Sequence, residues 1–443
     1  MKAREILLAI LIIAAGILFY YAKTGKIDLK FDEFGRRGFF FSNYDEFTFD
    51  ESRDIAAPLP SEVQVINARG SVEIHGAETD KITISLKKRI WRRTKEDAQK
   101  IADRLKMAVN REDPRLIIST NRDDFKKKPF ETEFKITVPA GMNVLVKNSY
   151  GPAKTAKTGK TDITNPHGQV SAADVSGELI IQNSYENVDV SNVQAGCRIT
   201  SPHSDVTVIN IQGDLAVDHQ YGTIHLEHAG RKVKIDGRHT EVFGQDLKSD
   251  VEITSSYETV KLSDVGPTKI RNHHGDVEAA GVKGTLEISN EYGRIHAENV
   301  QGNFKVEGKD VAVQAKSILA EDIWISSSYQ NVELIGFTGK TTVLLTHGDL
   351  RLEPESLTGP VDVQASYANI HLVWPVGGKF PFEGQAKSGT IKWQLSEKPA
   401  LEETNGLSVT KAFLDEKNKP SIKLSTSYGD IRVEENTRTT RTT

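Results

Sequence analysis

A single cysteine, Cys197, stands in 443 residues. That scarcity excludes an intramolecular disulfide framework and any cysteine-based zinc site, because both need several sulfurs at set spacings. Cys197 lies between apolar repeat positions and reads as a small buried hydrophobe. Charge imbalance is also missing: the formal net charge is −4 with 27 % charged residues, so nothing global favours nucleic acid as a partner. Long apolar runs are scarce as well. The exception is residues 6–22, preceded by Lys2 and Arg4 and ending in Phe19, Tyr20 and Tyr21 before Lys23. Its 17 residues approach the lower limit for crossing a bilayer, with tyrosines where an interfacial belt would lie. Ala14, Ala15 and Gly16 offer a cleavage point, but the run continues through Ile17, Leu18 and Phe19, which favours an uncleaved anchor over residues 1–22. The expected topology is one transmembrane helix with a cytoplasmic N-terminus and the bulk of the chain in the periplasm or at the cell surface.

Residues 23–48 form a connector in which Arg36 and Arg37 adjoin Phe39, Phe40 and Phe41, followed by Tyr44 and Phe47. An interfacial segment on the membrane and a first strand packed on the next domain both fit this pattern. Residues 49–148 read as a small α+β capping unit. Residues 63–67 and 71–75 alternate as strands around Arg69 and Gly70, and residues 82–86 continue a meander. Apolar residues at Ala98, Ile101, Ala102, Leu105 and Val109 predict a helix over 95–109 with Thr94 as N-cap.

From residue 149 to 433 the chain repeats. Tyr150, His167, Tyr185, His203, Tyr221, His239, Tyr257, His274 and Tyr292 follow one another at intervals of 17 or 18 residues, and Tyr329, His347 and Tyr367 continue the series. Each unit follows the ring with short apolar alternation, as in Val188, Val190 and Val193, then a turn and Cys197 and Ile199. Strands so short cannot bury a core alone, whereas stacked units can, each strand pairing with its equivalent in the next coil at about 4.8 Å. The pattern predicts an all-β β-solenoid of about 18 residues per coil, with about 15 coils between Tyr150 and Tyr428 rising roughly 70 Å. Because Tyr and His forms alternate, a coil of about 36 residues remains open at this point. Glycines after the rings, among them Gly151, Gly168, Gly222 and Gly429, fit turns. Residues 374–378 and 397–420 read as insertions flanking the C-terminal end, and 434–443 as a disordered tail.

The stretch Asn67-Ala-Arg-Gly-Ser-Val-Glu-Ile, the basic strand, the helix, Ile136-Thr-Val-Pro-Ala-Gly-Met-Asn-Val and the repeated Tyr/His-Gly-Asp-Ile units resemble the bacterial putative-adhesin family, also called toast-rack, over residues 50–433. The resemblance implies a cell-envelope β-solenoid with neighbouring membrane proteins and no catalytic residues to carry over. The regular coil is also similar to bactofilins, which polymerise end to end, although a membrane helix and a bulky N-terminal unit depart from them.

Successive histidines in one column would lie about 9.6 Å apart, too far to share a zinc ion, so a stacked ring column is expected and no metal or cofactor. His273 with His274, or His219 near Tyr221, could meet locally. Asp205, Asp276, Asp349 and Asp430 recur at one turn position, where Asn187, Asn331 and Asn369 also occur, as turn chemistry alone would produce. The basic run Lys87, Lys88, Arg89, Arg92 and Arg93, with Trp91 inside it, could meet anionic lipid or glycan, and Lys126–Lys128 could extend it; solvated strand ends also account for it. The expectation is a membrane-anchored, non-enzymatic envelope protein that presents strand faces to a protein, a glycan or its own copies. The alternative is a carbohydrate-active enzyme on a β-helix, which would need a groove with clustered carboxylates.

Overall fold

The computed structural model describes residues 44–125, 129–376, 378–404 and 406–436, and these fall into two compact units. The expected anchor over 1–22, most of the connector and the last seven residues lie outside the described residues. No described helix is long and apolar enough to cross a membrane.

The larger unit comprises Asp50–Lys87, Met107–Asp124 and the chain from Thr132 onward. Its coil can be read from one repeat. Leu179–Asn183 and Val188–Val193 are its two strands, and Cys197–His203 and Val206–Ile211 are the next pair. Leu179 pairs in parallel with Cys197 and Val188 with Val206, an offset of 18 residues in both sheets, which rules out a 36-residue coil. From Asn143 to Val373 the chain completes about 13 turns this way.

Alternation buries Leu179 and Ile181 from one strand, and Val188 and Val190 from the other. Val193 also faces inward, although it is an odd number of residues from Val190. The intervening Asn192 adopts φ +56°, and this left-handed residue rotates the strand so that a third apolar side chain returns to the core. Asp174, Asn210, His228, Asp246 and Asp264 do the same in other coils. Short polar side chains tolerate that region best, and this accounts for the spacing of apolar residues at steps of two and then three. Cys197 is buried in this core, and burial pushes its thiol up to about 12.

Both ends of the stack depart from chain order. Ile422–Thr426 lies between Val361–Val373 and Phe382–Lys387, parallel to both, so the last coil in sequence is the penultimate one in space. The strand Leu407–Ala412 then covers Phe382–Lys387 in antiparallel fashion, and Ala400–Thr404 covers that strand. At the other end, Glu62–Asn67 lies between Asn143–Asn148 and Arg115–Thr120, and Met107–Glu112 closes the edge antiparallel. An uncovered parallel coil would present a row of free N–H and C=O groups to another chain. In the sheet that contains Glu62–Asn67 and Ile422–Thr426 the outermost rows are antiparallel and out of register with the repeat, whereas in the other sheet Ile391–Gln394 lies parallel to Ile431–Glu434.

Four expectations change. Glu62–Asn67 and Val72–Ala77 are the two strands of one coil, not neighbours in a meander, since Val72–Ala77 pairs with Phe130–Pro139 and Ala153–Ala156. The solenoid therefore begins well before residue 149, in coils that carry the apolar alternation without the ring. The 15 coils foreseen between Tyr150 and Tyr428 are too many, because residues 374–421 leave the ring column and Tyr428 stacks directly beyond Tyr367. The helix covers only Lys95–Arg104, capped by Thr94 Oγ1 accepting from the Asp97 N–H. Val109 is instead in a strand, paired with Ile118 across the hairpin.

The smaller unit, Lys88–Lys106, Phe125–Glu131 and the residues before Asp50, has its own apolar cluster of Ile90, Ala98, Ile101, Ala102, Leu105, Phe125 and Phe130. Phe47, at the end of the connector, and Phe49 pack on it.

A chain ending at Pro420 should lose the coil that joins Val361–Val373 to Phe382–Lys387. Limited proteolysis should then cut readily between residues 374 and 420 while residues 150–340 stay protected. Unchanged protection of 374–420 would show that the inserted coil is dispensable.

Candidate functional site: a ring ladder and a charged groove

Each coil turns between its two strands at the ring residue. Side chains at this corner point outward, and identical corners repeat at the rise of one coil, so rings must stack. From Tyr150 through His167, Tyr185, His203, Tyr221 and His239 to Tyr257, neighbouring ring centroids are 4.5 to 5.6 Å apart and the rings lie within 8° of parallel. Tyr329, His347, Tyr367 and Tyr428 form a second run at 4.8 to 4.9 Å. Between the runs, His274 stacks against Tyr257 at 5.2 Å and contacts Tyr292 at 4.5 Å with a 34° tilt. Within each run the faces of interior rings are thus occupied by one another, and solvent meets mainly their edges, with Tyr185 57 % exposed.

Backbone geometry at the corner explains the glycines. Gly222 sits at φ +127°, and a Cβ there would approach the Ser204 carbonyl oxygen within 2.2 Å. At His239, Tyr257 and Tyr329, where no glycine follows, the ring residue itself takes the left-handed conformation, at φ +47°, +73° and +70°. A buried polar column supports the corner from inside: Asn165 Nδ2 donates to the carbonyls of Gly151 and Gly168, and Asn183 Nδ2 to those of Asn165 and Gly168. His219 occupies that column in its own coil. Its Nε2 donates to the Ser204 carbonyl at 2.8 Å and its Nδ1 faces Thr240 Oγ1 at 2.9 Å. Burial holds its pKa below the ordinary histidine value.

The recurrent Asp and Asn after the ring link coils. Asn331 Oδ1 accepts from the Asp349 N–H at 2.8 Å, Asn369 Oδ1 from the Asp430 N–H at 3.0 Å, and Asp276 Oδ1 from the Arg294 N–H at 2.9 Å. Each carboxylate or amide oxygen meets the backbone donor one coil on, which a strand ladder leaves open at a turn.

These residues also edge a groove of about 1000 Å³ that the repeat pattern did not disclose. Its floor is the outward face of the second strand in the C-terminal coils, with Glu333, Arg351, His371, Arg432 and Lys392 among its lining residues. Arg351 donates to His371 Nδ1 at 3.0 Å and to Glu353 at 3.1 Å, while His371 Nε2 is 2.7 Å from Glu434. Asp430 is held below the usual carboxylate range by hydrogen bonds from the Thr390 N–H and hydroxyl, with Lys392 adding to them. General-acid cleavage of a glycosidic bond requires a carboxyl shifted in the opposite direction.

The basic run does not form one surface. Lys88 is buried and its ammonium donates to the Ala102 carbonyl at 3.1 Å, which corrects its expected role in anionic contact. Arg89 pairs with Glu46 at 2.8 Å, Arg92 bonds the Trp91 carbonyl at 2.6 Å, and Arg93 lies over the Tyr44 ring at 5.9 Å. Lys87 is exposed, and residues 126–128 lie outside the described residues. Strand alternation separates adjacent charges, so a run in sequence is split between faces. His273 and His274 do meet, with Nδ1 atoms 2.5 Å apart, but no group of three or more metal-binding side chains occurs among the described residues.

Residues 244–434 match the family model described as Toastrack DUF4097. A solved "putative cell adhesion protein" from Clostridium sporogenes is 9 % identical, with coverage of 88 % of this chain and 100 % of that one, at a TM-score of 0.16. A "putative adhesin" from Bacteroides fragilis is 12 % identical, covering 60 % and 97 %, at a TM-score of 0.19. No curated protein matches the chain.

Because the His219 pKa is lower in the folded state, the unfolded chain takes up the proton first as pH falls through about 6.5. Its contribution to stability is present above that pH and is lost on acidification. His219→Asn, the side chain that Asn183 supplies two coils earlier, should shrink the difference between urea midpoints at pH 7 and pH 5; an unchanged difference would contradict the assignment.

Proposed function

We propose, for a chain whose residues 244–434 are toast-rack, that it is a non-enzymatic, adhesin-like arm of the cell envelope, held to the membrane by residues 6–22. The solenoid presents its lateral strand faces and ring ladder to an envelope protein or glycan on the extracytoplasmic side. The observation that supports this reading most is the closure of one of the two sheets at both ends by out-of-order coils and antiparallel strands. Closed ends disfavour end-to-end growth of the bactofilin kind and leave the sides for contact. The toast-rack match and the engagement of groove carboxylates with backbone and cations point the same way.

The test has two parts. The full chain expressed in a bacterial host should sediment with membranes and be released by detergent, while residues 44–443 should be soluble. The soluble form should sediment as one species whose mass does not grow with concentration. Recovery of the full chain in the soluble fraction would overturn the anchor, and filaments of residues 44–443 would overturn the capped arm.

A further inference from the structure

The ring ladder has one vacant rung. Between Tyr292 and Tyr329 the corner residue is Asp310, in a coil whose strands pair in register with both neighbours: Gly293 with Val311 on one side, Val313 with Val332 on the other. Its backbone is that of the ring-bearing corners, at φ +54° against +47° at His239 and +70° at Tyr329, and its N–H bonds to Ser328 as that of His239 bonds to Ser256. Only the side chain differs. Tyr329 stacks on His347 at 4.9 Å and has no ring partner on the Asp310 side among the described residues. Tyr292 contacts His274 and His273 on its far side. Two coil rises separate Tyr292 from Tyr329, about 9.6 Å. That is close to the interval the Tyr150–His167–Tyr185 set spans with one planar ring between.

The vacancy has a charge. Asp310 Oδ1 accepts from Gln330 Nε2 at 2.7 Å, and no cation pairs with the carboxylate among the described residues. A group that fits must be planar, close to an imidazole in size, and positive. We propose that this rung is a binding site for the guanidinium of an arginine side chain on a protein partner, which would complete the ladder between Tyr292 and Tyr329 and pair with Asp310. Guanidinium stacks on aromatic faces and donates in-plane to carboxylate, so one group satisfies both features. An ammonium pairs with the carboxylate but cannot continue a stack of planes. The site rests on solenoid geometry and is independent of membrane attachment.

The probe is N-acetylarginine amide, titrated into residues 44–443 carrying ring-labelled tyrosine and followed by NMR. Saturable chemical-shift changes confined to two tyrosines, identified as Tyr292 and Tyr329 by Tyr292→Phe and Tyr329→Phe assignment variants, are expected. N-acetylcitrulline amide, planar and neutral, should bind on the order of tenfold more weakly, as should the arginine probe to Asp310→Asn. Asp310→His should abolish binding while folding normally, because it supplies the missing ring. Absence of saturable shifts, equal binding of the citrulline probe, or undiminished binding to Asp310→His would overturn the proposal. Failure here would leave the fractionation and sedimentation results untouched, so the two readings fail separately.

Discussion

Everything in the larger unit depends on the parallel pairing of each strand residue with the one about 18 positions later. That single offset turns the outer surface into columns of equivalent positions. A residue type repeated at the period then meets itself or its alternate at one coil rise, whatever its chemistry. Rings stack, buried amides pass hydrogen bonds along the corner, and Asp or Asn oxygens reach the next coil's N–H. Apolar positions become a continuous core. No column needs a separate cause once the offset is set.

Parallel stacking has one weakness, which is that it has no natural end. The chain meets it by placing its first and last coils one step inside and covering them with segments that lie inward in sequence. At both ends the covering coil is followed, in one of the two sheets, by an antiparallel strand. The order ties residues far apart in the chain, such as Val361 to Ile422, at the positions where a linear repeat would fray.

Legibility in the sequence follows from this geometry. The period and the ring column could be read because both arise from contacts between successive repeats, so the spacing of Tyr185 and His203 is the spacing of the rings themselves. Whether the coil held 18 or 36 residues could not be read, since alternating ring types fit either until the strand partners are known. The end coils were misread for a related reason. Glu62–Asn67 has the alternation of any half-buried strand, and nothing local says that its neighbour is Asn143–Asn148. Val109 satisfied helical spacing, yet its hairpin pairing with Ile118 decided its conformation. Outward charges such as Arg351 and His371 have the composition of an ordinary solvated face, and only the stack brings them into one groove.

The most direct test of the 18-residue coil is a distance between two spin labels in one column. Asp189 and Glu333 are joined by eight successive pairings, through Thr207, His225, Phe243, Lys261, Glu278, His296 and Gln314. Nitroxides on cysteines at these positions should be about 38 Å apart at the usual strand spacing. The native thiol, buried and pushed up to about 12, should not compete for label. A separation near 19 Å would mean that each turn holds twice as many residues, and the column, the ladder and its vacant rung would all fall with it.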